Sequence, residues 1–306
     1  MFFYILKRLG LMAVTLFMVL LLTFLLMHAI PGGPYSAGKR LPPAVMEAIE
    51  AKYHLNDPLA AQFFDFLKRI VRLDFGPSFK YEGMSVNELI AKGFPVSATL
   101  GVFSMLFVLA VGIPLGVFAA VKKGKWQDAG VTFLTTLGVT IPSFVTATVL
   151  LYFLAFKLGW FPIFGADSLK GYILPMLALS GYSLAYITRL TRSSLLDVLR
   201  SDYIRSARVK GLSEGKVIAR HGMRNALIPV VTVVGPLFAG LLMGSFVVER
   251  IFAMPGMGRF FVQSITNRDY TAIVGFTIFY AAVLVTLVFV VDILYCVIDP
   301  RIKLER

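Results

Sequence analysis

Residues 93–121 read GFPVSATLGVFSMLFVLAVGIPLGVFAAV and contain no Asp, Glu, Lys or Arg. An α-helix rises about 1.5 Å per residue and needs about 20 apolar residues to cross the hydrocarbon core of a bilayer. A stretch this long and this apolar therefore predicts a membrane-spanning helix. The run is continuously apolar rather than alternating, which favours a helix over a strand of a membrane barrel.

Five other windows of the chain share this property. Charged residues make up 15% of the whole chain, against about 25% in soluble domains, and the mean hydropathy is +0.79. We therefore predict an all-α integral membrane protein of about six transmembrane helices. The additional windows without charge are 9–38, 129–156, 171–188, 225–248 and 270–291.

Lys and Arg residues set the predicted orientation. With the N-terminus inside, the cytoplasmic segments carry 17 Lys and Arg, and the two short outer loops carry 5. Cytoplasmic loops are enriched in these residues, whereas long translocated segments are exempt from the rule. We expect both termini in the cytoplasm, and we attribute the net charge of +13 to topology rather than to nucleic-acid binding.

The chain divides into four predicted parts. The outer segment reads as helical, because Pro42-Pro43 precede a helix-compatible stretch and Asp57-Pro58 open a second helix that ends near Leu73. The parts are a first transmembrane helix (1–30), an extracytoplasmic helical segment (31–93), a five-helix core (94–298) with a cytoplasmic loop (192–228), and a cytoplasmic tail (299–306).

The cytoplasmic loop contains a short helix that ends in a glycine. Gly211 is typical of a helix C-terminus, where a positive φ costs glycine little. Ser213 and Glu214 restart a helix that runs to about Arg224. The pattern fits either a rigid knob on the inner face or a solvated basic loop beside anionic lipid head groups, and charge alone favours the second.

Prolines lie in or beside the apolar windows. A proline inside a spanning helix frees a backbone carbonyl, which is tolerated where the carbonyl faces protein or a wet path. A plain packing kink is an equally good interpretation. The candidate translocation-pathway residues are Pro142, Ser143, Gly235, Pro236, Gly240 and Gly244.

No motif in the chain predicts chemistry of its own. Residues 33–40 nearly match a phosphate-binding loop, but Arg40 replaces the hydroxyl residue that would bind magnesium, and no strand precedes them. The three histidines lack metal-ligand spacing, and no nucleophile–base pair is apparent. We expect no cofactor in this chain and an energy source in another subunit.

The cytoplasmic loop resembles that of ABC importer permeases. Their pattern is Glu-Ala-Ala, three residues, Gly, nine residues and Ile-x-Leu-Pro; Ala207 and Gly211 fit it, whereas Arg205 replaces the Glu and the Leu-Pro element is shifted to Leu227-Ile228-Pro229. Other stretches are similar to the oligopeptide/dipeptide branch, and their order looks like that of the first permease of an oligopeptide importer. They are LDFGPS (73–78), IPSF (141–144), VERIF (248–252), PGMG (255–258) and RDY (268–270).

The resemblance implies a type I ABC importer permease-like fold in the bacterial inner membrane and a set of partners. These are a second homologous permease, one or two ATP-binding subunits that hold ATP and Mg²⁺, an extracytoplasmic solute-binding protein, and membrane lipid. The residues implied to couple to the ATP-binding subunit are Asp202, Tyr203, Arg205, Ser206, Ala207, Lys210, Gly211 and Leu212. Those implied to lie in the outer loop near the binding protein are Glu249, Pro255, Gly256, Gly258, Arg268 and Asp269.

Transport of oligopeptides or dipeptides is the function that the resemblance implies. A permease of the same family for nickel or glutathione is the first alternative. The second is a self-sufficient secondary transporter, which would show paired intramembrane charges or matched broken helices. An intramembrane enzyme would need a catalytic constellation, and the sequence shows none.

Overall fold

The computed structural model describes residues 2–29, 56–81, 83–166, 168–242 and 246–298, and its regular elements are helices. The predicted helix after Pro42-Pro43, the near-match to a phosphate loop, the tail 299–306 and Gly244 lie outside the described residues. The helices are α1 (Phe2–Ala29), α2 (Leu59–Val71), α3 (Val86–Val121), α4 (Trp126–Thr140), α5 (Ser143–Leu150, continued by the π-helical turn Leu151–Lys157), α6 (Leu169–Leu199), α7 (Asp202–Val209), α8 (Glu214–Lys216, continued by the π-helical turn Val217–Gly222), α9 (Met223–Ala226), α10 (Ile228–Leu242), α11 (Phe246–Ile251), α12 (Met257–Thr266) and α13 (Tyr270–Ile298).

Membrane spans are recognised in these helices by length and hydropathy. Among the described residues, five pass the test alone, and the bent pair of α4 and α5 with its π-helical turn makes a sixth if it is counted as one span. The prediction of about six spans is therefore confirmed. The marginal window 171–188 lies within α6, whose 31 residues are long enough to cross a membrane.

The third span departs from the predicted continuous helix. The chain bends by 103° between the two halves of this span. Pro142 lacks an N–H and disfavours the helical conformation for the residue before it, and Ile141 is accordingly extended, with φ −81° and ψ 121°. The window 129–156 is thus two helices that are separated at Pro142, one of the prolines for which the sequence allowed a kink.

The chain forms two compact units. The first comprises Met1–Pro95 and Gly256–Val285, and the second comprises Val96–Pro255 and Thr286–Arg306. The four segments predicted from the sequence stay a prediction.

In the first unit, α2 packs on the C-terminal half of α1. The ring of Phe63 lies edge-on to Phe17 and Phe24, with ring centroids 5.9 and 5.4 Å apart. His28 and Gln62 add a polar contact at 3.3 Å. The predicted helix after Asp57-Pro58 is confirmed, and one aromatic side chain anchors it.

In the second unit, small residues let helices approach closely, as is common in membrane proteins. A Cβ on Gly101 would lie 2.7 Å from the Cα of Leu242, and one on Gly116 would lie 2.6 Å from the carbonyl oxygen of Thr188. These contacts hold α3 against α10 and against α6. They position the helices that surround the cavity described below.

Candidate coupling and translocation sites

The cytoplasmic loop has the helix–glycine–helix geometry that its sequence predicts. α7 ends at Val209, Gly211 has a φ of +78°, and α8 begins at Glu214. The Gly211 N–H donates to the Arg208 carbonyl oxygen at 2.9 Å. An ion pair between Arg208 and Glu214, 2.8 Å long, spans the turn.

One face of α7 packs against its own loop. Ile204 and Ala207 are buried together with Val217 of the following helical segment. Ala207, which the resemblance assigns to the contact with an ATP-binding subunit, therefore faces inward. The Ile204–Ala207 spacing of three places both on one helix face, and the role of Ala207 in coupling stays a prediction.

The other face of α7 is open. Its exposed predicted residues are Asp202, Tyr203, Arg205, Ser206, Lys210, Gly211 and Leu212. Val209 lies within the same predicted stretch, Asp202 through Leu212, and is 88% exposed. Val209 lies off the helix face that the buried residues Ile204 and Ala207 define.

A cavity of about 570 Å³ lies at the break in the third span. Its walls come from α4, α5, α6 and α10. Four of the predicted pathway residues line it: Pro142, Ser143, Pro236 and Gly240. Gly235 does not line it; a Cβ there would lie 2.6 Å from the Cγ2 atom of Val291, so this glycine serves helix packing.

Sequence reasoning missed the cavity wall that α6 supplies. Tyr182 and Ser183 line the cavity beside Gly181, although α6 carried no predicted pathway residue. Gly181 faces Gly138 of α4, and a Cβ on Gly138 would lie 2.9 Å from the Gly181 carbonyl oxygen. This backbone-to-backbone contact joins two apolar windows that are distant in the sequence. Neither window by itself could therefore predict that α6 lines the cavity.

The chemistry of the cavity wall is neutral. None of the described residues that line it is charged, and its hydroxyl groups belong to Ser143, Thr146, Tyr182 and Ser183. Pro142 leaves the carbonyl of Gly138, which also lines the cavity, without its helical N–H donor. The cavity can therefore offer hydrogen bonds to a solute without selecting for charge.

An ion pair ties the broken span to α6. The Arg192 guanidinium donates from Nε to Asp128 Oδ1 at 2.6 Å and from Nη2 to Oδ2 at 2.7 Å. The Gly124 N–H also donates to Asp128, at 3.0 Å. Asp128 is buried. Its ion pair with Arg192 holds the start of α4 against α6, the helix that leads into the cytoplasmic loop.

The predicted outer-loop residues are mostly inward-facing. Glu249 is fully buried in the second unit, where it accepts a hydrogen bond from Ser97 Oγ at 2.7 Å. Asp269 is buried in the first unit, where it accepts bonds from the Ser78 hydroxyl and from the Lys80 and Ala272 N–H groups. Each carboxylate accepts a buried hydrogen bond in this structure, and the placement of these residues near a binding protein stays a prediction.

The remaining members of that set differ in exposure. Pro255 is exposed, Gly256 and Gly258 are buried, and Arg268 is half-buried with a φ of +56°. Near Asp269, the Tyr81 hydroxyl donates to Gln263. Burial raises the pKa of the Tyr81 phenol, which keeps it protonated as a donor.

Two models of known protein families match this chain. The family described as binding-protein-dependent transport system inner membrane component matches residues 112–304, and its N-terminal counterpart matches residues 1–101. The chain belongs to this family. It is therefore a multi-pass inner-membrane permease, and the resemblance to ABC importer permeases is confirmed.

Two relatives of this permease match over nearly its whole length. The dipeptide transport system permease protein of Bacillus subtilis is 46% identical over 303 residues, covering 99% of this chain and 98% of the relative. The oligopeptide transport system permease protein of Escherichia coli K12 is 45% identical over 291 residues, covering 94% and 95%.

Two solved structures share the fold of this permease. The inward-facing MetNI methionine ABC transporter matches with a TM-score of 0.56 and 20% identity, covering 71% of this chain and 100% of the other. An amino acid ABC transporter crystallised with histidines matches with a TM-score of 0.50 and 18% identity, covering 71% and 95%. The predicted fold class is confirmed.

Among the described residues, no group of His, Cys, Asp and Glu side chains has an arrangement that could hold a metal ion.

Proposed function

We propose that this permease is one of two membrane halves of an ATP-driven importer that carries dipeptides or oligopeptides delivered by an extracytoplasmic binding protein. The names of the two relatives support the peptide cargo, because their identity extends over almost the whole chain. The ATP-binding subunits hold ATP and Mg²⁺, and this chain supplies the pathway and the mechanical link.

The exposed face of α7 is the observation that carries the mechanical link. Val209 is an apolar side chain left 88% exposed on a helix whose opposite face is packed. Tyr203 and Leu212 in the same stretch are also exposed. An apolar tip on a rigid support suits burial in a cleft of a partner protein.

The rigidity of α7 explains how motion would pass through it. The packed residues beneath it hold α7 against its loop, and the exposed Arg208–Glu214 ion pair crosses the turn that follows it. A stiff element transmits a rigid-body displacement, whereas a flexible loop would absorb it. The Asp128–Arg192 pair then continues this connection from α6 to the half-helix α4 beside the cavity.

Cross-linking tests the docking of α7. The chain has one cysteine, so Cys296→Ser gives a cysteine-free background for Val209→Cys with a photoactivatable thiol reagent. We expect Val209→Cys to cross-link to the ATP-binding subunit in native membranes. Trp126→Cys is the control, since Trp126 is 79% exposed on another element of the predicted cytoplasmic side. Cross-linking of the control alone would refute the docking site.

Reconstitution tests the transport function. The complete transporter in proteoliposomes should take up tripeptide only with ATP inside and loaded binding protein outside. Competition by nickel or glutathione, without competition by peptides, would favour the alternative substrates. Uptake by the purified chain alone would favour a secondary transporter and would contradict the proposal.

A further inference from the structure

Three glycines line the cavity at the break in the third span, and two of them are explained by packing. Gly138 and Gly181 let α4 and α6 touch, since a Cβ on either would lie within 3.4 Å of the other's carbonyl oxygen. Gly240 differs from both. A Cβ on Gly240 would have no atom within 4 Å.

The absence of a side chain at Gly240 therefore has no packing reason within this chain. Glycine in a helix is costly, because it loses more backbone freedom on folding than alanine does. Gly240 is exposed, helical and on the cavity wall. The space in front of its Cα belongs to the cavity.

We propose that the bare Cα of Gly240 sets the side-chain bulk of the peptide that this permease can pass, a specificity role that rests on the proposed function. The cavity volume of about 570 Å³ is within the range of small-molecule sites. Its walls carry no charge among the described residues, so they discriminate by size rather than by charge.

The polar groups of the wall argue for cargo rather than lipid as the occupant. Ser143, Thr146 and Tyr182 place hydroxyl groups on the wall at the break in a membrane span. Irregular backbone at membrane depth is tolerated where it lines a wet cavity or is covered by protein. A lipid chain would offer these hydroxyls no hydrogen-bond partner.

A graded series of substitutions tests this role. Gly240→Ala, Gly240→Val and Gly240→Leu in the complete transporter should progressively reduce the uptake of triphenylalanine, reaching about tenfold at Leu, the effect of a few methylene groups in a tight pocket. Uptake of triglycine should stay within about twofold. Trilysine and triglutamate should be affected equally, because the wall is neutral.

Gly10→Leu is the matched control. Gly10 lies in α1, is exposed, and likewise has no atom within 4 Å of an added Cβ. We expect no change for either peptide in this variant. The amount of assembled complex, measured by affinity purification from membranes, should equal that of the unmodified transporter in every variant.

Each other outcome overturns the inference. Equal loss of all peptides together with loss of the partner permease would show that Gly240 packs against that subunit. Unchanged uptake of triphenylalanine in Gly240→Leu would show that Gly240 faces lipid. Failure of the unmodified complex to transport any peptide would instead refute the proposed function, so the two failures are distinguishable.

Discussion

At the residue scale, Gly211 is a position where backbone conformation matters and side-chain packing does not. Its φ is +78°, a conformation that residues with a Cβ rarely adopt, and an added Cβ would meet nothing within 4 Å. Any effect of substituting Gly211 therefore reports on the shape of the turn after α7. It does not come from a clash of the new Cβ with a distant part of the chain.

Replacing Gly211 by valine should uncouple ATP hydrolysis from uptake. We expect normal membrane insertion and continued ATP hydrolysis, with peptide uptake reduced about tenfold because the left-handed conformation is strained for a residue with a Cβ. Uptake and hydrolysis are measured in the same proteoliposomes. Gly215→Val is the control, since Gly215 is exposed in α8 with equal free space and no positive φ. Uptake at the unmodified rate in Gly211→Val would argue against α7 as a transmission element.

Asp269 acts at the same scale in the first unit. Its carboxylate caps the start of α13 through the Ala272 N–H, at 3.1 Å, and accepts the Ser78 hydroxyl from the segment after α2. One buried carboxylate thus joins two of the stretches that carry the family resemblance. Its burial gives a structural reason for an acid at this position.

Asp269→Ala should destabilise the folded protein by about 2–4 kcal/mol, because a helix cap is lost and buried donors are left without an acceptor. Unfolding by SDS titration in detergent micelles measures the change. Asp65→Ala provides the comparison, since Asp65 is exposed on α2, and we expect it to have little effect. Equal stability of the two variants would contradict the assigned role of Asp269.

At the element scale, local sequence patterns predicted where the helices lie better than they predicted where and how sharply a span bends. Asp57-Pro58 correctly predicted α2, which is Leu59–Val71, because capping and proline preferences act within one turn. Pro142 was singled out, but a kink and an open pathway were equally good interpretations. The 103° bend depends on how α4 and α5 pack against α6, which no local pattern contains.

The crossing of α4 and α6 gives a sharp test of that packing. Gly138→Ala should cost about 1–3 kcal/mol of stability, as expected for overpacking at a site where the new Cβ lies 2.9 Å from the Gly181 carbonyl oxygen. Gly130→Ala in the same helix, where nothing lies within 4 Å, should be neutral or stabilising by up to about 1 kcal/mol. SDS titration of both variants measures the difference. A stabilising Gly138→Ala would show that the two backbones do not touch.

At the scale of the whole molecule, the membrane imposes the architecture. Backbone polar groups cannot stay unpaired in lipid, so each long apolar run forms a helix. The distribution of Lys and Arg then orients the set of spans. Both arguments use composition alone, which is why fold class was predictable without tertiary information.

Thiol labelling checks the predicted orientation. In the Cys296→Ser background, Lys68→Cys on α2 should react with a membrane-impermeant maleimide in intact spheroplasts. Lys125→Cys in the turn before α4 should react only after the membrane is permeabilised, since Lys and Arg of short loops favour the cytoplasm. Both lysines are exposed, so accessibility depends on the side of the membrane. The reverse pattern would invert the predicted topology.

The sequence by itself determined the helical class, the approximate number of spans, the predicted orientation and the turn at Gly211, because each depends on composition or on one helical turn. Only the tertiary structure decided that Ala207, Glu249 and Asp269 face inward. It also decided that the break at Pro142 opens a cavity walled by α6. The physical reason is that burial depends on which helix face meets a neighbour, and those neighbours are distant in the chain.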